Sequence, residues 1–245
     1  MISGQVAGPV DVSEGPGMHL PGPLIAARAL DDPLARLLHD TAHHKFPSAD
    51  DAVVVLPAPA GPCDVALAFT EHAVVAADVP ESWVREHLPV GTGHHQELLS
   101  VGFLGALSER LGSAAAWVSI LLAAPKPSGS APAIELRDSD QRQSDWAAYR
   151  SDVRCYEDTD GVGVLNLGLG PGGRWDLWMG FVEADRPMMS PQVVGRGKAL
   201  LEAARANAPD ALFASVPSSN ARALRTFEAA GFRPIGAEVL FLTRP

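Results

Sequence analysis

Apolar residues recur every three or four positions in some stretches of the chain and run together in others, and the two patterns divide it into helices and strands. Over residues 24–44, Leu30, Leu34, Leu37 and Leu38 recur at helical spacing and predict an amphipathic helix. Residues 52–56 and 65–77 read as extended, the second stretch long enough for a bent strand or a hairpin. Residues 82–87 and 96–111 read as helices; in the latter Leu98, Leu99, Val101, Phe103, Leu104 and Leu107 give a broad apolar face. Residues 114–124 are the next strand.

Residues 125–132 (PKPSGSAP) break the pattern. They mix Pro, Gly and Ser with no large apolar side chain, as a linker does. This divides the chain into a Gly/Pro-rich tail (1–21), an N-terminal α/β region (22–124), a linker (125–133) and a second domain (134–245). The second domain opens with a strand at 134–136 and a helix over 140–149. A hairpin follows, 153–156 and 162–169, around the turn Asp158-Thr159-Asp160-Gly161. Gly170 to Gly173 make another turn, and residues 175–182, apolar on both faces, read as a buried central strand. A helix (197–206), a strand (212–216), a helix (219–230) and a strand (239–243) complete the order, with no fixed-period repeat.

Composition narrows the class. Hydrophobic residues make up 47% and charged residues 20% of 245 positions, as in a soluble globular chain. No apolar run reaches the length of a membrane span, and the first residues lack the pattern of a signal peptide. Two distant cysteines, Cys63 and Cys155, argue against a disulfide-stapled fold and make the cytoplasm the expected compartment. A net charge of −10 argues against nucleic-acid binding. The charge is uneven: residues 1–150 hold 9 basic and 18 acidic side chains, residues 151–245 hold 10 and 11, so the second half is nearly neutral. The adjacent pairs His43-His44 and His94-His95 lack a Cys or carboxylate at ligand spacing, and no metal is expected.

The chemistry-bearing segment is Gln192-Val193-Val194-Gly195-Arg196-Gly197-Lys198, between the central strand and a helix. Glycines there let backbone approach a phosphate, and the helix's free N–H groups and dipole favour an anion. Arg196 and Lys198 add positive charge. By itself this pattern is equally a plain glycine turn before a helix. A second segment, Asn220-Ala221-Arg222-Ala223 running on to Phe227 and Gly231-Phe232, opens a helix directly after a strand and closes it with Gly-Phe.

In order and spacing the two segments resemble the GNAT (N-acetyltransferase) superfamily, over about residues 150–245. The resemblance implies an α/β fold with a mixed central sheet flanked by helices, here preceded by an N-terminal α/β segment. It implies that Gln192, Val193, Val194, Gly195, Arg196, Gly197 and Lys198 hold the pyrophosphate of acetyl-CoA, and that Asn220 and Phe227 lie along the pantetheine arm. The cofactor would lie between two diverging parallel strands, 175–182 and 212–216, and an amine would attack the thioester directly, its oxyanion met by a backbone N–H. The implied activity is N-acylation of a small-molecule or protein amine; the alternative is a non-catalytic acyl-CoA binding or sensing module. Neither a nucleic acid nor a membrane is an expected partner, and a homodimer stays open.

Two positions depart from the family. Phe227 stands where many members carry a tyrosine acid, and neither Tyr149 nor Tyr156 matches such a position. The loop 183–190 is longer than usual. Glu183, at the end of the central strand, is the candidate general base, with Asp185 and Asp176 as weaker ones. Trp175, Trp178, Met179 and Phe181 either wall an acceptor pocket or pack the core. The acidic turn 157–160 reads as a plain hairpin turn. Residues 50–124 either supply a missing wall of the fold or form a degenerate copy of it; they carry no second pyrophosphate segment, so one acyl-CoA site per chain is expected. The whole chain resembles actinobacterial members with an added N-terminal segment.

Overall fold

A computed structural model describes residues 31–88, 97–128, 134–182 and 195–242. The first half supplies α1 (Pro33–Ala42), β1 (Ala52–Leu56), β2 (Cys63–Phe69), β3 (His72–Ala76), α2 (Glu81–His87), α3 (Val101–Leu111) and β4 (Ser119–Ala124). The second supplies β5 (Leu136–Asp138), α4 (Ser144–Ala147), β6 (Ser151–Asp158), β7 (Gly163–Leu169), a short 3-10 turn (Pro171–Gly173), β8 (Trp175–Phe181), α5 (Arg196–Asn207), β9 (Leu212–Pro217), α6 (Ala221–Ala229) and β10 (Arg233–Leu242).

All ten strands share one mixed sheet, in the order β1-β3-β2-β10-β4-β9-β8-β7-β6-β5. The linker expected at 125–133 therefore does not divide the strands into separate sheets. β4, from the first half, lies antiparallel between β9 and β10, and β10 lies antiparallel between β4 and β2. Strands on the two sides of the expected boundary pair within that one sheet. The physical reason is burial: β4 is covered on both faces, with Leu121 and Ala123 on one and Leu122 and Ala124 on the other. Such a strand needs ladder partners on both edges, and here β9 and β10 of the second half provide them.

Side-chain alternation sorts the core. Leu122, Leu212, Ala214 and Val216 meet Leu200, Leu201, Ala204 and Phe227 of α5 and α6 on one face. Further along that face Ala66, Val75, Val239 and Phe241 meet Val84 of α2 and Phe103, Leu104 and Leu107 of α3. On the opposite face Val65, Leu67, Leu121 and Phe213 pack against Leu34 and Leu38 of α1. Asp32 starts α1 by accepting from Leu34 N at 2.8 Å and Ala35 N at 3.2 Å, with Pro33 in the first turn.

Element bounds differ from the sequence pattern where tertiary contacts decide them. Stretch 65–77 is a hairpin. The helix expected over 140–149 is a single turn, because the chain there is held extended: Asn166 accepts from Gln143 N at 2.6 Å and donates to Gln141 O at 2.9 Å. The last strand starts at Arg233, six residues earlier than expected, with a register shift between Pro234 and Gly236. Val101, placed on the apolar face of its helix, is exposed because at about 100° per residue it lies off the buried stripe formed by Phe103, Leu104 and Leu107.

Candidate functional site

The site is set by where two parallel strands diverge. β8 and β9 pair only at Trp175–Leu212 and Asp176–Phe213, near their N-terminal ends. β8 then keeps its ladder with β7 as far as Phe181, and β9 keeps its ladder with β4 as far as Pro217. Each strand is thus held from outside while the gap between them opens toward their C-terminal ends. Beyond Asp176 the edge of β8 that faces β9 has no ladder partner among the described residues, so its backbone N–H and C=O groups are available to a ligand.

The first turn of α5 reaches the same end of the sheet. Gly195 precedes the helix with φ +79°, a left-handed conformation that suits glycine, and a Cβ there would meet nothing within 4 Å. Among the described residues no side chain caps this helix. The first-turn N–H groups are thus left to water or an anion. Gly197 serves a different purpose from the one the motif suggests. It is buried, and a Cβ there would stand 3.0 Å from Met179 Cε and 3.0 Å from Thr226 Cγ2. Its missing side chain lets α5 pack against the end of β8 and against α6.

The cations of the segment are engaged within the protein. Arg196 is mostly buried; its guanidinium pairs with Asp158, and its Nη2 donates to Asp160 Oδ2 at 2.8 Å. The hydrogen bond to Asp160 leads the effects that raise the Arg196 pKa, partly opposed by burial and reinforced by Asp158. Asp158 is anchored in turn, accepting from Val162 N at 3.0 Å. The turn read as a plain hairpin therefore grips the start of α5. Lys198 Nζ lies 3.0 Å from Glu202 Oε1, an exposed pair one helical turn apart.

Asn220 caps α6 through Oδ1, accepting from Ala223 N at 3.1 Å, and is exposed at the C-terminal end of β9. Phe227 is buried on α6, edge-on to Phe232 with ring centroids 5.0 Å apart. It is a core residue shared by α6 and the start of β10. Gln192, Val193, Val194, Glu183 and Asp185 lie outside the described residues.

The tryptophan-rich strand divides by alternation. Trp175 and Leu177 are core, with Met179 and Phe181 packed against that core. Trp178 stands on the other face, its ring so close over Gly180 that a Cβ there would meet Cη2 at 2.2 Å. Asp176 is no candidate base: it is fully buried and paired with two arginines. Arg150 Nε donates to its Oδ2 at 3.0 Å and Arg174 Nε to its Oδ1 at 2.7 Å. Arg174 Nη2 also reaches Glu238 Oε2 at 2.7 Å, and Ser215 donates to the same carboxylate. Burial weighs against the charge on Arg174, but Asp176 and Glu238 outweigh it and raise its pKa. This network ties β8, β9 and β10 together beneath the opening. Its sequence signal was single charged residues inside otherwise apolar strands. Among the described residues no cluster of three metal-ligating side chains occurs.

No family model matches the sequence, and no curated protein does. Among solved structures, the chain is similar to GNAT-family acetyltransferases. An acetyltransferase of the GNAT family from Colwellia psychrerythraea overlaps 70% of this chain and 76% of its own, at 14% identity and a TM-score of 0.37. A GCN5-related N-acetyltransferase from Kribbella flavida overlaps 59% of this chain and 65% of its own, at 14% identity and a TM-score of 0.33. Likenesses of this size carry no statement about substrate or activity, for which the geometry above is the basis. No helix among the described residues is long and apolar enough to cross a membrane.

Proposed function

We propose that the chain is an acyl-CoA-dependent N-acyltransferase that transfers acetyl from acetyl-CoA to a primary amine of a small molecule or protein. The observation that carries this reading is the divergence of β8 and β9 after two paired positions, with the uncapped N-terminus of α5 and the exposed Asn220 at the same end. A thioester arm laid in that gap can take backbone hydrogen bonds from both strands while its diphosphate meets the first turn of α5. The residues present fit the cofactor: among the described residues nothing crowds the approach at Gly195, and no side chain caps the helix donors.

In this reading the amine nitrogen attacks the thioester carbonyl carbon, the C–N bond forms, and the C–S bond breaks to release the CoA thiolate. A backbone N–H on the free edge of β8 donates to the oxyanion. The excess proton on nitrogen goes to a base, for which Glu183 is proposed, two positions beyond that strand in the sequence. Phe227 is buried and has no hydroxyl, so the thiolate takes its proton from water. That same feature supports a second reading, in which the chain binds acyl-CoA without turnover. Titration calorimetry with acetyl-CoA, paired with thiol release over a panel of amines, separates them. The transferase reading expects micromolar binding and thiol release with at least one amine. Binding with no release on any amine supports the sensing module, and absence of binding overturns both.

A further inference from the structure

A loop that holds a diphosphate would be expected to present its cations to it. Here Arg196 is turned back onto Asp158 and Asp160, and Lys198 lies on Glu202. Among the described residues, two positive side chains (Arg196, Lys198) and three negative ones (Asp158, Asp160, Glu202) stand around the first turn of α5, a surplus of one negative charge. An anion arriving there finds N–H donors without net positive charge.

The two carboxylates holding Arg196 are not equivalent. Asp158 has a structural role: its side chain is 2% exposed and it closes the β6–β7 turn by accepting from Val162 N. Asp160 is 64% exposed and sits in the turn Asp158-Thr159-Asp160-Gly161, where Asn would serve the backbone equally well. What its charge adds is the second hold on the guanidinium and one more negative charge beside the helix start.

We propose that Asp160 is a positioning residue that lowers the affinity of the acyl-CoA site by keeping Arg196 on the hairpin and away from the cofactor's diphosphate. The inference rests on the acyl-CoA reading above. Its functional sense is release: the product CoA carries the same diphosphate as the substrate, and departure of product limits turnover in many transferring enzymes. A site whose arginine is withheld binds through backbone donors and lets the product go.

The test is titration of CoA against the full chain in wild-type form and as Asp160→Asn, Arg196→Ala and the double variant, in low and in about 0.5 M salt. Thermal unfolding of each variant confirms that it is folded. The expected result is that Asp160→Asn binds CoA about five-fold more tightly at low salt, a screened charge effect that shrinks toward none in high salt. Arg196→Ala serves as the background against which the double variant is read. In the Arg196→Ala background, Asp160→Asn gains less than about two-fold. If the wild type binds CoA and Asp160→Asn is unchanged or weaker, the proposal is wrong. An equal gain with and without Arg196 also overturns it, since Asp160 would then act by direct repulsion. A wild type that does not bind CoA overturns the acyl-CoA reading itself, a distinct result.

Discussion

The two glycines of the Gly195-Arg196-Gly197 segment have different physical reasons, and substitution separates them. At Gly195 the backbone has φ +79° and a Cβ meets nothing within 4 Å, so Gly195→Ala costs only the left-handed strain, about 1 kcal/mol. The added methyl stands in open space beside the first-turn donors, where a diphosphate must approach, and CoA affinity should fall by about ten-fold or more, ~1.4 kcal/mol. At Gly197 a Cβ lies 3.0 Å from Met179 Cε and from Thr226 Cγ2, both side-chain ends that can yield by a few tenths of an ångström. Gly197→Ala should therefore change stability by under about 1 kcal/mol, crowding being offset by the better helix propensity of alanine. Gly197→Val adds two more methyls and should cost about 1–3 kcal/mol of stability. Urea unfolding gives the stabilities and calorimetric titration with CoA gives the affinities. The reasoning is refuted if Gly195→Ala binds as well as wild type, or if Gly197→Ala loses CoA binding with an unchanged unfolding midpoint.

Two further outcomes follow from buried charge. Burial, aided by the neighbouring Asp78 carboxylate, pushes the Asp64 pKa up from 3.8 to about 6. Folding thus favours its neutral form: the group's contribution is fully present below pH 3.8 and is lost as pH rises through about 6. Asp64→Asn should raise stability by about 2 kcal/mol at about pH 7.5 and by little at about pH 3.5, and equal gains at both pH values in urea unfolding would show that ionisation is not the cause. Asp176→Asn leaves Arg150 and Arg174 buried with half their compensation and should cost about 3 kcal/mol in the same assay; a loss under about 1 kcal/mol would mean the network does not hold β8 to β10.

What the sequence disclosed was local chemistry. Gly195 at the start of α5 and the Asp160-Gly161 turn each act within a few residues, and their elements stand within a residue or two of the pattern. The divergence of β8 and β9 was an implication of the family resemblance; the order of strand, helix and strand by itself gives only their parallel direction. What depended on distant partners was hidden. That Arg196 would turn to Asp158 and Asp160, 38 and 36 residues away, has no periodic signature. The pairing of Arg174 with Glu238 spans 64 residues. The Pro/Gly/Ser-rich stretch 125–132 was silent on pairing: whether its flanking strands share a sheet is decided by edges that composition does not encode.

The interleaving of β4, β10 and β2 bears on how the chain acquires its structure. β2 ends at Phe69, yet one of its edges stays open until residues 233–242 have been made. β4 likewise waits for residues 212–217 on one side and 233–242 on the other. During synthesis the first half therefore emerges as apolar strands without their neighbours and cannot close its sheet ahead of the second. Ribosome-stalled chains ending near residue 200 should stay protease-sensitive and open to chaperone capture, and protection should appear in one late step rather than half by half. Excision of residues 134–245 would leave β10 without either of its ladder partners and strip β9 of β4, opening three long apolar edges that invite self-association.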